Sequence, residues 1–354
     1  MQRDVTNFYR GKKVVVIGGA GFVGIQLVRQ LVDTGADVWV IDDFSRGQNI
    51  VTGAKYVKHD QFSYLGYELV DSASIGSYYG FENVGFDITA PRAMHVLQWA
   101  LSDAFAVFNL AAVVAGVLHN ENHHVQMYDD NIRVLASPLR ASEQAGVPHY
   151  LSTSSVCVYS EDHQSPCDEA IGWGGDPHPA NAGYAEAKRD GERLVQWSSL
   201  EHAVIVRPSN IIGPYDYYDD RAHVVPAFIK RAVDTKGEFK LYGNPYAKRE
   251  FIYSSDVASG MMYALALGKN KEAYNLGTGG DNQITMIGLA DWIIKNVESI
   301  RGNQDGGRIL DSDTTKGGGD VIRYSNCDKI YELGWRYQID LYSALLMTIH
   351  HYMG

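Results

Sequence analysis

A chain of 354 residues, 45% hydrophobic and 21% charged, can bury a sizeable core as one large domain or two packed ones. Its formal net charge is -11 and no lysine- or arginine-rich run offsets it, so nucleic acid is excluded as a partner and any anionic substrate needs a few placed arginines. Cysteines 157, 167 and 327 form no CxxC pair or disulfide framework, no apolar run approaches the ~20 residues of a membrane span, and no metal is expected; a reduced, cytoplasmic setting without membrane contact is the reading.

In chain order, Val14-Val15-Val16-Ile17 predicts a strand, followed by a glycine-rich turn at 18–24. Phe22, Ile25, Val28, Leu31 and Val32 recur at helical spacing up to Thr34-Gly35, and a second strand runs from Asp37 to Ile41. The stretch 47–85 is long for one crossover and carries Tyr56, Tyr64, Tyr67, Tyr78 and Tyr79. It reads as a surface-packed insertion, with a substrate lid or subunit contact as the alternative. Further strands are expected at 106–110, 149–152 and 203–207, separated by helices at 131–145 and 184–200. Strands alternating with helices predict a doubly wound parallel sheet over residues 1–207. From Pro208 the rhythm becomes irregular and glycine turns appear, as at Gly277-Thr278-Gly279-Gly280. Residues 208–354 are expected to form mainly a smaller α/β substrate lobe, with segments around 250–265 returning to the first domain.

The glycine turn is the first chemical signal. Gly19-x-Gly21-x-x-Gly24 and Gly18-x-x-Gly21-x-x-Gly24 both follow a strand and open a helix. Glycines there let backbone N–H groups approach a pyrophosphate at a helix N-terminus. Asp42 closes the next strand, where a carboxylate accepts the ribose hydroxyls and repels a 2′-phosphate, so NAD is expected over NADP. Arg46 nearby works against that preference.

The second signal is Tyr184-Ala185-Glu186-Ala187-Lys188, whose phenol and ammonium share one helix face. The positive charge is expected to lower the phenol pKa, so that the tyrosine takes a proton from a sugar hydroxyl near neutral pH. The hydroxyl-rich strand end Ser152-Thr153-Ser154-Ser155 lies upstream.

Taken together, residues 18–24, Asp42-Asp43, Asp87-Ile88, Asn109-Leu110-Ala111-Ala112, Ser154-Ser155, Tyr184/Lys188, Arg207-Pro208-Ser209-Asn210, Arg249-Glu250-Phe251-Ile252 and Leu333-Gly334-Trp335 resemble the extended short-chain dehydrogenases/reductases acting on nucleotide sugars. Ile17 departs from the threonine that this family usually has before the first glycine. The resemblance implies a Rossmann domain and a hydride-transfer triad of Ser155, Tyr184 and Lys188. It also implies a cofactor held by Gly18, Gly21, Phe22, Val23, Gly24, Asp42, Asp43, Ser45 and Arg46. Asp87 and Ile88 would flank the adenine, and Leu110, Ala111, Ala112, Val114, Tyr184, Lys188 and Pro208 would line the rest. Family dimers pair through helices, here those near 131–145 and 184–200, which implies a homodimer.

Two places narrow the resemblance toward GDP-mannose 3,5-epimerases and GDP-fucose synthases. Cys157 stands two residues before Tyr159, and His223-Val224-Val225-Pro226 matches a segment of the latter. A lone cysteine or histidine is usually structural, and it is their joint match that points to function. Once C4 of a sugar is a ketone, hydrogens on C3 and C5 are acidic, and inversion needs a base on one ring face and an acid on the other. Gly116, Asn210 and Val224 are expected at the substrate, with Arg231, Arg249 and Arg323 on its diphosphate. The expected activity is epimerisation of a nucleotide sugar, a GDP-sugar by motif, through C4 oxidation, C3/C5 proton exchange and re-reduction. The alternatives are an NDP-hexose 4-epimerase, a dehydratase or epimerase/reductase, and, least in keeping with the intact triad, a non-catalytic NAD-binding protein.

Overall fold

The computed structural model describes residues 2–46, 50–59, 67–72, 85–90, 93–163, 165–219, 222–234, 239–302, 310–313 and 322–354. Of the tyrosine-rich stretch, Tyr64, Tyr78 and Tyr79 lie outside the described residues.

The first part of the chain runs α1 (Gln2–Tyr9), β1 (Lys13–Ile17), α2 (Gly24–Asp33), β2 (Asp37–Ile41), β3 (Lys55–His59) and β4 (Tyr67–Asp71). Next come α3 (Ala93–Leu101), β5 (Ala106–Asn109), α4 (Val117–Asn122), α5 (His124–Ala145), β6 (His149–Thr153), α6 (Ala182–Trp197) and β7 (His202–Pro208). The remainder runs β8 (Asn210–Ile212), α7 (Val224–Asp234), β9 (Phe239–Tyr242), β10 (Lys248–Tyr253), α8 (Ser254–Leu267) and β11 (Ala273–Leu276). It ends with β12 (Gln283–Thr285), α9 (Met286–Ile300), β13 (Leu310–Asp313), β14 (Ile322–Arg323), α10 (Asp328–Glu332) and α11 (Leu341–Met353).

The doubly wound sheet expected from the strand–helix alternation is present. Among the described residues it has eight strands in the order β11-β7-β6-β5-β1-β2-β3-β4. The pairs are parallel except β3 with β4. The unbroken apolar run of β1 follows from burial on both faces. Val14 and Val16 join one core with Ile25, Val28 and Leu31 of α2, and Val15 and Ile17 join the other with Val96, Leu97 and Leu139. Each such side chain contributes about 1.5–3 kcal/mol by leaving water.

Part of the stretch 47–85 builds sheet instead of forming a surface insertion. Tyr56 on β3 is buried, and its hydroxyl accepts the Val51 N–H at 2.7 Å. The period-two pattern of five residues is too short to stand out beside the long crossover.

Strand order reverses between β1 and β5, so the connections leaving their carboxyl ends, 18–24 and 110–116, diverge and open a crevice. After β7, the smaller sheet pairs β12, β10 and β14, with β8 also on β10. Its core gathers Val225 and Phe228 of α7, Leu289 and Ile293 of α9, and Leu341 and Leu345 of α11. The later chain also revisits the large sheet: β11 pairs with β7, and α8 packs against α2.

Candidate active site

A cavity of ≈ 420 Å³ occupies the crevice between the carboxyl ends of the large sheet and the later chain. Its near wall is the glycine turn. Gly18 has φ 78°, and a Cβ there would lie 3.0 Å from the Ala111 nitrogen; a Cβ on Gly24 would meet the Gly18 carbonyl at 2.1 Å. Only glycine fits these two places, and backbone and α2 N-terminus come bare to the crevice. Asp42 closes β2 into the same cavity, its carboxylate accepting the Ala20 and Phe44 N–H groups, each at 2.8 Å. A glycine cradle, a helix N-terminus and a carboxylate one strand away fit a dinucleotide. Phe22, Val23, Asp43, Ser45, Arg46, Asp87, Ile88, Leu110, Ala111, Ala112, Val114 and Pro208 line the same cavity.

The floor is the end of β6. Ser155 caps the short turn Val156–Val158, its hydroxyl accepting the Cys157 N–H at 3.2 Å. Tyr184 and Lys188 face this strand end from α6, and the Lys188 ammonium donates to the Thr153 carbonyl at 2.8 Å. Cys157 lines the cavity beside them, and His223 reaches it from the loop before α7, together with Val224. Gly116 and Asn210 also line it; a Cβ on Gly116 would lie 3.0 Å from the Ala222 carbonyl, so the two loops touch beside His223.

A family model described as "NAD dependent epimerase/dehydratase family" matches residues 14–277. The chain belongs to that family. It is 28% identical over 257 residues to a GDP-L-fucose synthase of Sinorhizobium fredii, spanning 70% of this chain and 79% of the relative. Two similar solved structures are a UDP-glucose 4-epimerase of Thermotoga maritima with UDP-glucose and a GDP-L-fucose synthetase of Naegleria fowleri bound to NADP. The first has a TM-score of 0.73 at 22% identity, covering 96% of this chain and 98% of the other. The second has a TM-score of 0.73 at 20% identity, covering 97% and 93%. At those identities they show the fold.

One expectation about this epimerase/dehydratase site needs correction. The Tyr184 phenol is not lowered. Burial raises it above its ordinary value, the neighbouring Cys157 adds to that, and a hydrogen bond with Ser155 and the charge of Arg46 oppose it. Lys188 lies 5.7 Å from the centre of the Tyr184 ring and is committed to Thr153. Burial brings Lys188 itself down to about 8, with Glu192 and Cys157 holding it up. Arg231, Arg249 and Arg323 lie outside the cavity lining. Arg249 and Arg323 sit side by side on β10 and β14, whereas Arg231 donates to the Lys240 carbonyl at 2.7 Å. Their reach depends on how the later chain folds over the crevice, which no local pattern encodes.

Side chains outside the expected set also build the site. Glu192 continues the face of Tyr184 and Lys188 by one more turn and accepts the Ser154 hydroxyl at 2.6 Å. That i+4 spacing was the available signal. Asn120 and Asn181 line the cavity as an amide pair 3.0 Å apart, without any motif to announce them. Asp216 touches His223 from a loop, where no periodicity exists to read.

Proposed function

We propose that this protein is an NAD-dependent nucleotide-sugar epimerase that acts on a GDP-sugar by transient oxidation at C4 and proton exchange at C3 or C5. The observation that carries the reading is the convergence of Ser155, Tyr184 and Lys188 with Cys157 and His223 on one cavity that also holds the glycine cradle. When bound, the nicotinamide cofactor supplies a reversible hydride acceptor for the sugar's C4.

The chain's own groups do the rest. Tyr184 takes the proton of the C4 hydroxyl as its phenolate, the form that the Ser155 hydrogen bond and the Arg46 charge favour against burial and that the positive charge of an oxidised nicotinamide would favour further. Lys188 keeps a cation beneath it, anchored on Thr153. With a ketone at C4, a proton leaves C3 or C5 toward one of Cys157 and His223, and the other delivers a proton to the opposite face. The two come from different loops, one after β6 and one before α7, which supports placing them on two sides of the ring. Arg249 and Arg323, paired on adjacent strands, supply the cations for the diphosphate beyond the cavity, with Arg231 contributed from α7. Asp42 favours NAD over NADP, since a carboxylate beside the adenosine ribose repels a 2′-phosphate.

The GDP base is supported by the similarity to a GDP-L-fucose synthase. A homodimer through α5 and α6 is supported by their packing side by side and by exposed Val125, Tyr128 and Trp197 on them. No helix among the described residues is long and apolar enough to cross a membrane, and none of the three cysteines is in a disulfide, in keeping with a cytoplasmic setting.

The test is incubation of the NAD-loaded enzyme with a panel of GDP- and UDP-sugars, with NMR of the products. A GDP-sugar inverted at C3 or C5 is expected. Inversion at C4 alone would assign a 4-epimerase, and stoichiometric consumption of reduced cofactor an epimerase/reductase.

A further inference from the structure

The loop between β8 and α7 carries a buried carboxylate that the scheme above does not use. Asp216 has a side chain only 1% exposed, and its Oδ2 lies 2.8 Å from Nδ1 of His223, whose side chain is 36% exposed and lines the cavity. Its other oxygen, Oδ1, accepts the Tyr217 N–H at 2.8 Å, so the carboxylate cannot turn away without losing a bond.

The backbone of this loop is braced from two directions. From α11, the Tyr352 hydroxyl donates to the Asp216 carbonyl at 2.6 Å, and the rings of Tyr352 and Tyr218 stack at 4.5 Å. From the cofactor side, the Arg46 guanidinium lies 3.7 Å from the centre of the Tyr217 ring and donates to the Val114 carbonyl at 2.6 Å. Tyr215 has φ 73°, a left-handed backbone unfavourable for a bulky residue, and it persists where its neighbours hold it. Its N–H donates to Nε2 of His351, 3.3 Å away on the same helix as Tyr352.

We propose that Asp216 is the positioning residue for His223, a proposal that rests on the reading of His223 as one of the two proton-transfer groups. By accepting the Nδ1 hydrogen, Asp216 fixes the neutral imidazole in the tautomer whose Nε2 lone pair is open to the cavity. When a C–H bond beside the C4 ketone breaks, its electron pair stays with the enolate and its proton goes to Nε2. The buried carboxylate then stabilises the imidazolium, and the same ion returns the proton in the reverse direction. C-terminal residues Tyr352 and His351 thereby serve the site from a helix that contributes nothing to its lining.

The direct test is nitrogen NMR of histidine-labelled, NAD-loaded enzyme. The neutral His223 ring is expected to carry its proton on Nδ1; a neutral ring protonated on Nε2 overturns the proposal. The kinetic test is Asp216→Asn. If its carbonyl keeps the Tyr217 N–H, its NH2 donates to Nδ1 and forces the other tautomer. The expected result is a kcat lower by about 100-fold or more, with KM and NAD affinity within about threefold of wild type. Placed in a His223→Asn background, the same substitution should cost nothing further in the solvent-deuterium exchange that this background retains. A wild-type kcat in Asp216→Asn, or a further large loss in the His223→Asn background, overturns the positioning role. Should the variant not fold, the tautomer measurement on the unmodified protein still decides. Wild-type enzyme that places no solvent hydrogen on sugar carbon would sink the epimerase reading, an outcome distinct from a misassigned tautomer.

Discussion

Arg207 grips Glu192 through two charge-assisted bonds, Nε to Oε1 at 2.8 Å and Nη2 to Oε2 at 2.6 Å. The side chains are only 5% and 1% exposed, and the Trp173 indole also donates to Glu192, at 2.7 Å. This pair ties β7 to α6 beneath the Tyr184/Lys188 face, and through the Ser154 hydroxyl it ties α6 to the strand end carrying Ser155. Removing one partner strands a buried charge, so Glu192→Ala should cost about 3–5 kcal/mol of stability by urea unfolding. A loss below about 1 kcal/mol would mean that water reaches Arg207.

The same carboxylate sets a pH dependence. Lys188 is held down to about 8 by burial, against the support of Glu192 and Cys157. Its ammonium is intact at neutral pH and is lost as pH rises through that value. The kcat/KM profile should therefore fall on its basic side near pH 8, and Glu192→Gln should move that limb to lower pH. For stability the sign is the reverse: the unfolded chain holds this proton up to its ordinary 10.5, so between about 8 and 10.5 the folded state gains. A basic limb displaced upward in Glu192→Gln would contradict the assignment.

The proposed preference for NAD rests on Asp42. Burial raises its carboxyl to about 6, resisted by the Phe44 and Ala20 N–H groups, so it is ionised at neutral pH. Titration should show NAD binding far more tightly than NADP, and Asp42→Ala should narrow the gap. Equal affinities in wild type would remove the charge argument.

The diphosphate grip is tested at Arg249. Arg249→Ala should raise the KM for the nucleotide sugar by a charge-assisted contact, about 1.5–3 kcal/mol, and leave NAD affinity unchanged. A folded variant with unchanged KM would place the diphosphate elsewhere.

The sheet was readable because its central strands are β-branched runs closed by glycine or aspartate, as at Val14-Val15-Val16-Ile17 and Asp42. Other elements were hidden for physical reasons. α1 shows only Val5, Phe8 and Tyr9 as its apolar face, in an otherwise polar segment. α5 begins at His124, seven residues before the expected 131; in its first turns Met127 is buried while Val125 and Tyr128 are exposed, so no buried apolar stripe announces them. β11 has four residues and completes the large sheet from beyond the expected lobe boundary, a pairing that only the folded chain specifies. In the cavity, the residues with fixed local spacing were visible: the glycines to one another, Tyr184 to Lys188, Ser155 to Cys157. Partners joined only through space, such as Asp216 with His223 and Arg207 with Glu192, left no periodic trace.

Turnover in heavy water reads proton exchange at carbon by Cys157 and His223. Wild type should place solvent deuterium at C3 or C5 of the sugar. Cys157→Ser, with a far weaker acid at nearly the same volume, should lose that exchange while still oxidising C4. His223→Asn should lose net inversion and retain exchange on the face that Cys157 serves. No carbon-bound deuterium in wild type, with near-normal turnover in both variants, would leave a 4-epimerase in which neither residue takes part.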